Sequence, residues 1–316
     1  MLDFSSRPDG PSVRLVLAMQ VIFSVLLAVL AQMVFTAIAH VEGWETDYLQ
    51  GAFDAAAMPD QRWQMRLMLA LNHLGTFVLA GALTVATVYG SRGLGRQHWP
   101  DYLGTRRSPS VLLVGLSVLL LLVSMPVVLW LLEISKALPL PEVFRLLEDD
   151  TEEMLKGLLQ MDGTGELAAN LVLIALLPAI GEELVFRGVV QRQFMRWLGN
   201  AWGAIALAAA VFSAIHLQFE GFLSRWLLGM VLGWLYWRTG NFWVPVVAHF
   251  FNNAFQVLGQ YAYRRQMSTI DLEQDVHIPW QAALFSALLM WAVVRLIMHH
   301  TQPPEATPPS LPDYPA

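Results

Sequence analysis

The stretch Gly181-Glu182-Glu183-Leu184-Val185-Phe186-Arg187-Gly188 sets two carboxylates and a guanidinium inside an otherwise apolar run. An ionisable group near the middle of a bilayer costs about 2.5–3.5 kcal/mol on insertion scales, so its presence points to function. Glu183 precedes Arg187 by four residues, the spacing at which helical side chains meet. Glu182 projects about 100° away around the helix and is the freer of the two. One carboxylate tied to arginine beside one left reactive is an acid/base division of labour. Downstream, Phe212-Ser213-Ala214-Ile215-His216 supplies an imidazole. The stretch His249-Phe250-Phe251-Asn252-Asn253 supplies an imidazole and an amide four residues apart on one helical face. Each group taken singly has a bland explanation: a packing ion pair, an interfacial histidine, a hydrogen-bonded helix contact. Asn170 and the pair Asn72/His73 fall in the same class and read as packing contacts or ends of spans. Gly229 and Gly233 form a GxxxG, a signal for close helix packing without chemistry.

The combination outweighs the separate explanations. Three apolar segments each carry uncompensated polar groups, and exposing all three to lipid is prohibitive, so they must converge on the bundle interior or a wet cavity. A buried carboxylate is a competent general base, and imidazole with amide donors suits a developing oxyanion. The same two carboxylates and two histidines could also hold Zn²⁺ with an open water position, through Glu182, His216 and His249. The spacing does not decide between a metal-bound and a metal-free water. The metal-free arrangement is the expectation, because Glu183 is committed to Arg187 and zinc would need most of the remaining polar groups.

The elements that must position these groups are membrane spans. Of 316 residues, 56% are hydrophobic and only 14% charged, and the mean hydropathy is +0.49. Soluble domains carry roughly 25% charged residues, so there is too little polar surface here for soluble globules. The 19 Lys+Arg against 25 Asp+Glu argue against a nucleic-acid partner. With no cysteine, disulfides, thiol nucleophiles and thiolate zinc sites are excluded. A helix needs about 20 apolar residues to cross the hydrocarbon core. The candidates are Val13–Ala39, Leu67–Tyr89, Val111–Leu132, Leu167–Val190, Trp202–Leu217, Phe222–Trp237, Phe242–Leu258 and Trp280–Met298. The predicted fold class is therefore all-α, a polytopic membrane helix bundle of about eight transmembrane helices. Leu140–Met161 alternates apolar residues with charges and reads as an amphipathic helix or a soluble helical loop.

Ala37-Ile38-Ala39 has the form of a signal-cleavage site, but the apolar stretch before it far exceeds a signal's roughly 7–15 residues, so the first span reads as an anchor. Thr301 to Ala316 holds six prolines and reads as a disordered or polyproline-like tail. The chain thus divides into an N-terminal stretch 1–12, membrane helices with the amphipathic segment 13–166, a core 167–300 and the tail 301–316. Arginines such as Arg92, Arg96, Arg106 and Arg107 crowd one short loop, whereas Val41–Gln61 holds five acids and no base. The positive-inside rule then puts both termini in the cytoplasm.

The residues that carry the chemistry resemble the signature of the CPBP family, the type II CAAX prenyl endopeptidase and bacteriocin-processing group of intramembrane proteases. Glu182-Glu183-x-x-x-Arg187, Phe212-x-x-x-His216 and His249-x-x-x-Asn253 follow one another in order, each on its own predicted span. Arg238-Thr239-Gly240-Asn241 leading through Pro245 to His249 is similar to that family's approach to its third motif. The similarity covers roughly Asn170–Gln260. It implies a bundle of about eight spans around an intramembrane cavity. There Glu182 activates a water, the histidine at His216 binds or polarises it, His249 and Asn253 stabilise the oxyanion, and Glu183 and Arg187 hold the geometry. The resemblance leaves the need for a metal disputed. The expected protein is thus an intramembrane endopeptidase in a bacterial inner membrane. Its partners are membrane lipid and a peptide or protein substrate cleaved near the membrane surface. The alternatives are a non-catalytic scaffold or bacteriocin-immunity protein that uses the same pocket for binding, and a proton-coupled transporter, which lacks repeat symmetry.

Overall fold

The computed structural model describes residues 11–46, 59–89, 99–106, 108–139, 154–269 and 277–301, together with 142, 148 and 151. Among the described residues every regular element is a helix. Helix α1 is Val13–Glu42, α2 Asp60–Val88 and α3 the short Trp99–Leu103. Then follow α4 Val111–Lys136, α5 Thr164–Leu198, α6 Ala201–Ala214, α7 Phe222–Thr239, α8 Trp243–Arg264 and α9 Trp280–His300. Local chemistry sets the ends. The hydroxyls of Ser12 and Ser110 accept from the third amide of α1 and α4 at 3.2 Å each, and Asn200 Oδ1 caps α6 through Trp202 N at 3.0 Å. Gly199 and Gly240 stop α5 and α7 in the left-handed region, where a side chain would be strained.

Among the described residues five helices are long and apolar enough to cross a membrane: α1, α2, α4, α5 and α9. The other three expected spans differ for identifiable reasons. Helix α6 has 14 residues, about 21 Å of helix, against a hydrocarbon core of about 30 Å. Helices α7 and α8 carry Arg225 and Arg238, or His249, Asn252 and Asn253, and those polar groups reduce their mean hydropathy. Trp202–Leu217 also ends earlier than expected: the helix stops at Ala214 and His216 lies in the following turn.

Helix α5 is the hub. Half of its most apolar window is buried, against 11% for the peripheral α1. On one side α2 packs along it, backed by α1; on the other α8 crosses it, and α4, α7 and α9 close the bundle. Leu120, Phe186, Phe212, Leu235 and Ile297 belong to the main apolar core. The Leu140–Met161 segment lies partly outside the described residues. Its described end is helical at 154–158, and Leu158 is buried against Met65 rather than spread on a surface.

A buried ionic clamp fixes the start of α2 to the start of α5. Glu166 Oε1 accepts from Arg66 Nη1 at 2.6 Å and from Arg62 Nε at 3.1 Å. Arg62 also pairs with Asp162. Asn170 accepts from Arg66 Nε at 2.9 Å and donates to the Leu158 carbonyl at 2.7 Å. Asn170 is therefore the packing contact that its position suggested.

Candidate active site

Glu182 and Glu183 lie at the end of an α-helical stretch, Leu177–Glu183, flanked by π-helical turns at Leu171–Leu176 and Leu184–Val190. Such turns widen the helix and occur often at functional sites. Pro178 contributes, since it has no N–H to return to the carbonyl four residues before it.

Glu183 is fully buried and holds two partners on one oxygen. Its Oε1 lies 3.0 Å from Arg187 Nη1 and 2.9 Å from His249 Nδ1. The spacing of four predicted the first contact; the second joins α5 to α8. Arg187, itself buried, donates through Nη2 to the Gly229 carbonyl at 3.1 Å and lies 5.1 Å from the centre of the Phe212 ring. The GxxxG of α7 makes this approach feasible. A Cβ on Gly229 would stand 2.9 Å from Ala209 Cβ, and the Gly233 carbonyl accepts from Gln191 Nε2 at 2.9 Å. The close packing expected of the two glycines is present, and their carbonyls also anchor polar side chains of α5.

Glu182 lies beside two imidazoles, and a third, His216, shares the Phe212 ring with one of them. His73 Nε2 lies 3.3 Å from its Oε1 and His249 Nε2 lies 3.8 Å from its Oε2. His216 interacts with it electrostatically. The His216 Nδ1 sits 2.8 Å from the Phe212 carbonyl. A carbonyl only accepts, so Nδ1 carries the proton and a neutral His216 ring offers Nε2 as an acceptor. His249 is oriented in the same manner: a carboxylate holds Nδ1 and leaves Nε2 toward Glu182. The rings of His216 and His249 both pack edge-on against Phe212, with centroids 5.0 and 6.2 Å away.

The structure thus gathers Glu182, Glu183, Arg187, His216 and His249 around one buried polar centre. Asn253 stands one turn farther along α8. Its Nδ2 donates to the Ile174 carbonyl at 3.2 Å and its Oδ1 accepts from Asn252 Nδ2 at 3.1 Å. One residue was undervalued in the sequence. His73, read there as a packing contact or the end of a span, reaches Glu182, while its neighbour Asn72 is exposed and accepts from Thr76 within its own helix. The available signal was an imidazole within a span, but nothing local distinguishes His73 from Asn72.

The donors suit zinc by type but not by arrangement. Among the described residues no three His, Asp or Glu side chains form a set that could hold a metal ion. The Nδ1 atoms of His216 and His249 are engaged with protein oxygens, which leaves Nε2 of each ring for a further partner.

Fold and site together define a multi-pass helical membrane protein with a carboxylate–imidazole centre buried among its helices. Residues 164–255 match the family described as "Type II CAAX prenyl endopeptidase Rce1-like", which bears out the resemblance read from the motifs. The matched stretch holds every residue of the three motifs and leaves out His73. The "Uncharacterized protein YpbD" of Bacillus subtilis (strain 168) is 35% identical over 92 residues, covering 27% of this chain and 42% of that protein. The "Putative membrane peptidase YdiL" of the same organism is 27% identical over 103 residues, covering 31% of this chain and 42% of that protein. The chain therefore spans less than half the length of either relative. No solved structure matches.

Proposed function

We propose that this chain is an intramembrane endopeptidase that hydrolyses a peptide bond near the membrane surface with water activated by Glu182. The observation that carries the reading is the facing pair across α5 and α8. Glu182 Oε2 and His249 Nε2 lie 3.8 Å apart, with the far nitrogen of the same ring held by Glu183. That spacing leaves both groups able to address one small oxygen species, as a base and its oriented imidazole partner must.

In the proposed step Glu182 takes a proton from water as the water oxygen bonds to the peptide carbonyl carbon. His216 Nε2, the free acceptor of its ring, orients that water. The carbonyl oxygen becomes an oxyanion, which a protonated His249 Nε2 stabilises. The C–N bond then breaks, and Glu182 returns the proton to the leaving amine. Glu183 and Arg187 fix the His249 ring and the helix that carries Glu182. Asn253 Nδ2 carries two N–H groups: one holds the Ile174 carbonyl, and the other is proposed as a second donor to the oxyanion. The setting proposed for this chemistry is a bacterial inner membrane with both termini in the cytoplasm.

The test uses purified full-length chain in proteoliposomes, with quenched fluorescent peptides ending in a CAAX sequence, prenylated and unprenylated. Wild type is expected to cleave at least one. Glu182→Ala is expected to lose all cleavage while remaining folded in the bilayer. Equal activity in that variant rejects Glu182 as the base.

A further inference from the structure

We propose that His73 is a positioning residue of this site, acting through Glu182 from a helix outside the family-matched segment; this rests on the reading of Glu182 as the base. The observation is one of shape. His73 Nε2 stands 3.3 Å from Glu182 Oε1, the carboxylate oxygen opposite the one that faces His249. The carboxylate is thus held between an imidazole from α2 and one from α8. Nε2 is buried, and its contact with Glu182 falls short of hydrogen-bond alignment in this state.

Three independent features fix this approach. Arg62, Arg66 and His73 are spaced 4 and then 7 residues apart, so they share one face of α2. The clamp of both arginines on Glu166 therefore sets the rotation that turns His73 toward α5. Gly181, immediately before Glu182, allows the helices to close: a Cβ there would stand 2.9 Å from Phe77 Cβ and 3.0 Å from Val78 Cγ2. One turn farther, a Cβ on Gly81 would stand 2.9 Å from Leu184 Cγ. The His73 ring is stacked on Phe77 with centroids 4.6 Å apart and planes inclined by 28°, which restricts its swing.

An imidazole in this place restrains the Glu182 carboxylate so that Oε2 remains aimed at the reacting water. It touches neither water nor peptide in the proposed step, so its removal reduces turnover rather than substrate binding. Misplacement of a reacting group by about 1 Å can cost roughly 100-fold.

The experiment compares wild type with His73→Ala and His73→Gln in the proteoliposome assay, and follows ¹⁵N-histidine NMR of the full chain in detergent with and without Glu182→Gln. His73→Ala is expected to reduce kcat by roughly 10–100-fold with KM unchanged. His73→Gln, which returns an N–H near Nε2, is expected to recover much of that loss. The His73 imidazole resonance is expected to move when Glu182 becomes glutamine. Wild-type kcat in His73→Ala, or a resonance indifferent to Glu182→Gln, would overturn the proposal. If wild type cleaves neither peptide while the resonance still moves, the hydrolase reading fails but the His73–Glu182 coupling is upheld.

Discussion

The Asn253 amide donates to the carbonyl of Ile174, the oxygen that Pro178 leaves without its usual helical partner. A side chain of α8 thereby completes the backbone of α5 eight residues before Glu182. Leaving a backbone carbonyl unsatisfied costs up to about 1–3 kcal/mol when it is buried, and this one is half-buried. Asn253→Ala is expected to destabilise the protein by about that amount, measured by thermal unfolding in detergent. In a Pro178→Ala background, where an N–H is available again, the same substitution should cost markedly less. Equal costs in the two backgrounds would remove the link between the two residues.

Arg187 neutralises a carboxylate that has no exposure, and it ties α5 to the Gly229 carbonyl of α7. Removing one partner of a buried pair typically costs about 3–5 kcal/mol. Arg187→Ala should therefore reduce expression and melting temperature along with activity, and Arg187→Lys should recover only part, since one ammonium cannot reproduce the guanidinium fork. An Arg187→Ala protein as stable as wild type but inactive would contradict this structural role.

Glu148, outside the spans, accepts from the Glu220 backbone N–H at 3.1 and 3.3 Å, in the loop that follows His216. Burial pushes its carboxyl above the ordinary carboxylate range. In the folded state it holds a proton that the unfolded chain has released, so this contribution to stability is fully present below about pH 4.3. It is lost as pH rises through the elevated folded value. Melting temperature should accordingly fall across that mildly acidic window in wild type and fall less in Glu148→Gln. An identical pH profile for the two proteins would sink the assignment.

Exhaustive chelation is expected to leave cleavage intact, because no three donors at the centre are disposed as a metal site among the described residues. Activity assays paired with elemental analysis check this. Loss of activity on chelation, restored by Zn²⁺ alone, would require the donors to rearrange around a metal.

The parts legible in the sequence are those that depend on one helix at a time. Long apolar runs identify α1, α2, α4, α5 and α9, because crossing a bilayer is a matter of length and composition. The Glu183–Arg187 pair follows from a spacing of four, because helical periodicity is local. The convergence of Glu182, His216 and His249 was also implied, since lipid tolerates none of them on the outside.

What only the tertiary structure decided depends on how closely and at what rotation helices cross. His73 reaches Glu182 because Gly181 admits Phe77 and Val78 and because the Arg62 and Arg66 clamp turns α2. Asn253 also serves the Ile174 carbonyl, a contact set by a proline on another helix. Helix α6 stops at Ala214, which leaves His216 in the turn that follows it. The contacts of His73 and Asn253 join residues distant in the chain, which no local pattern of residue types encodes.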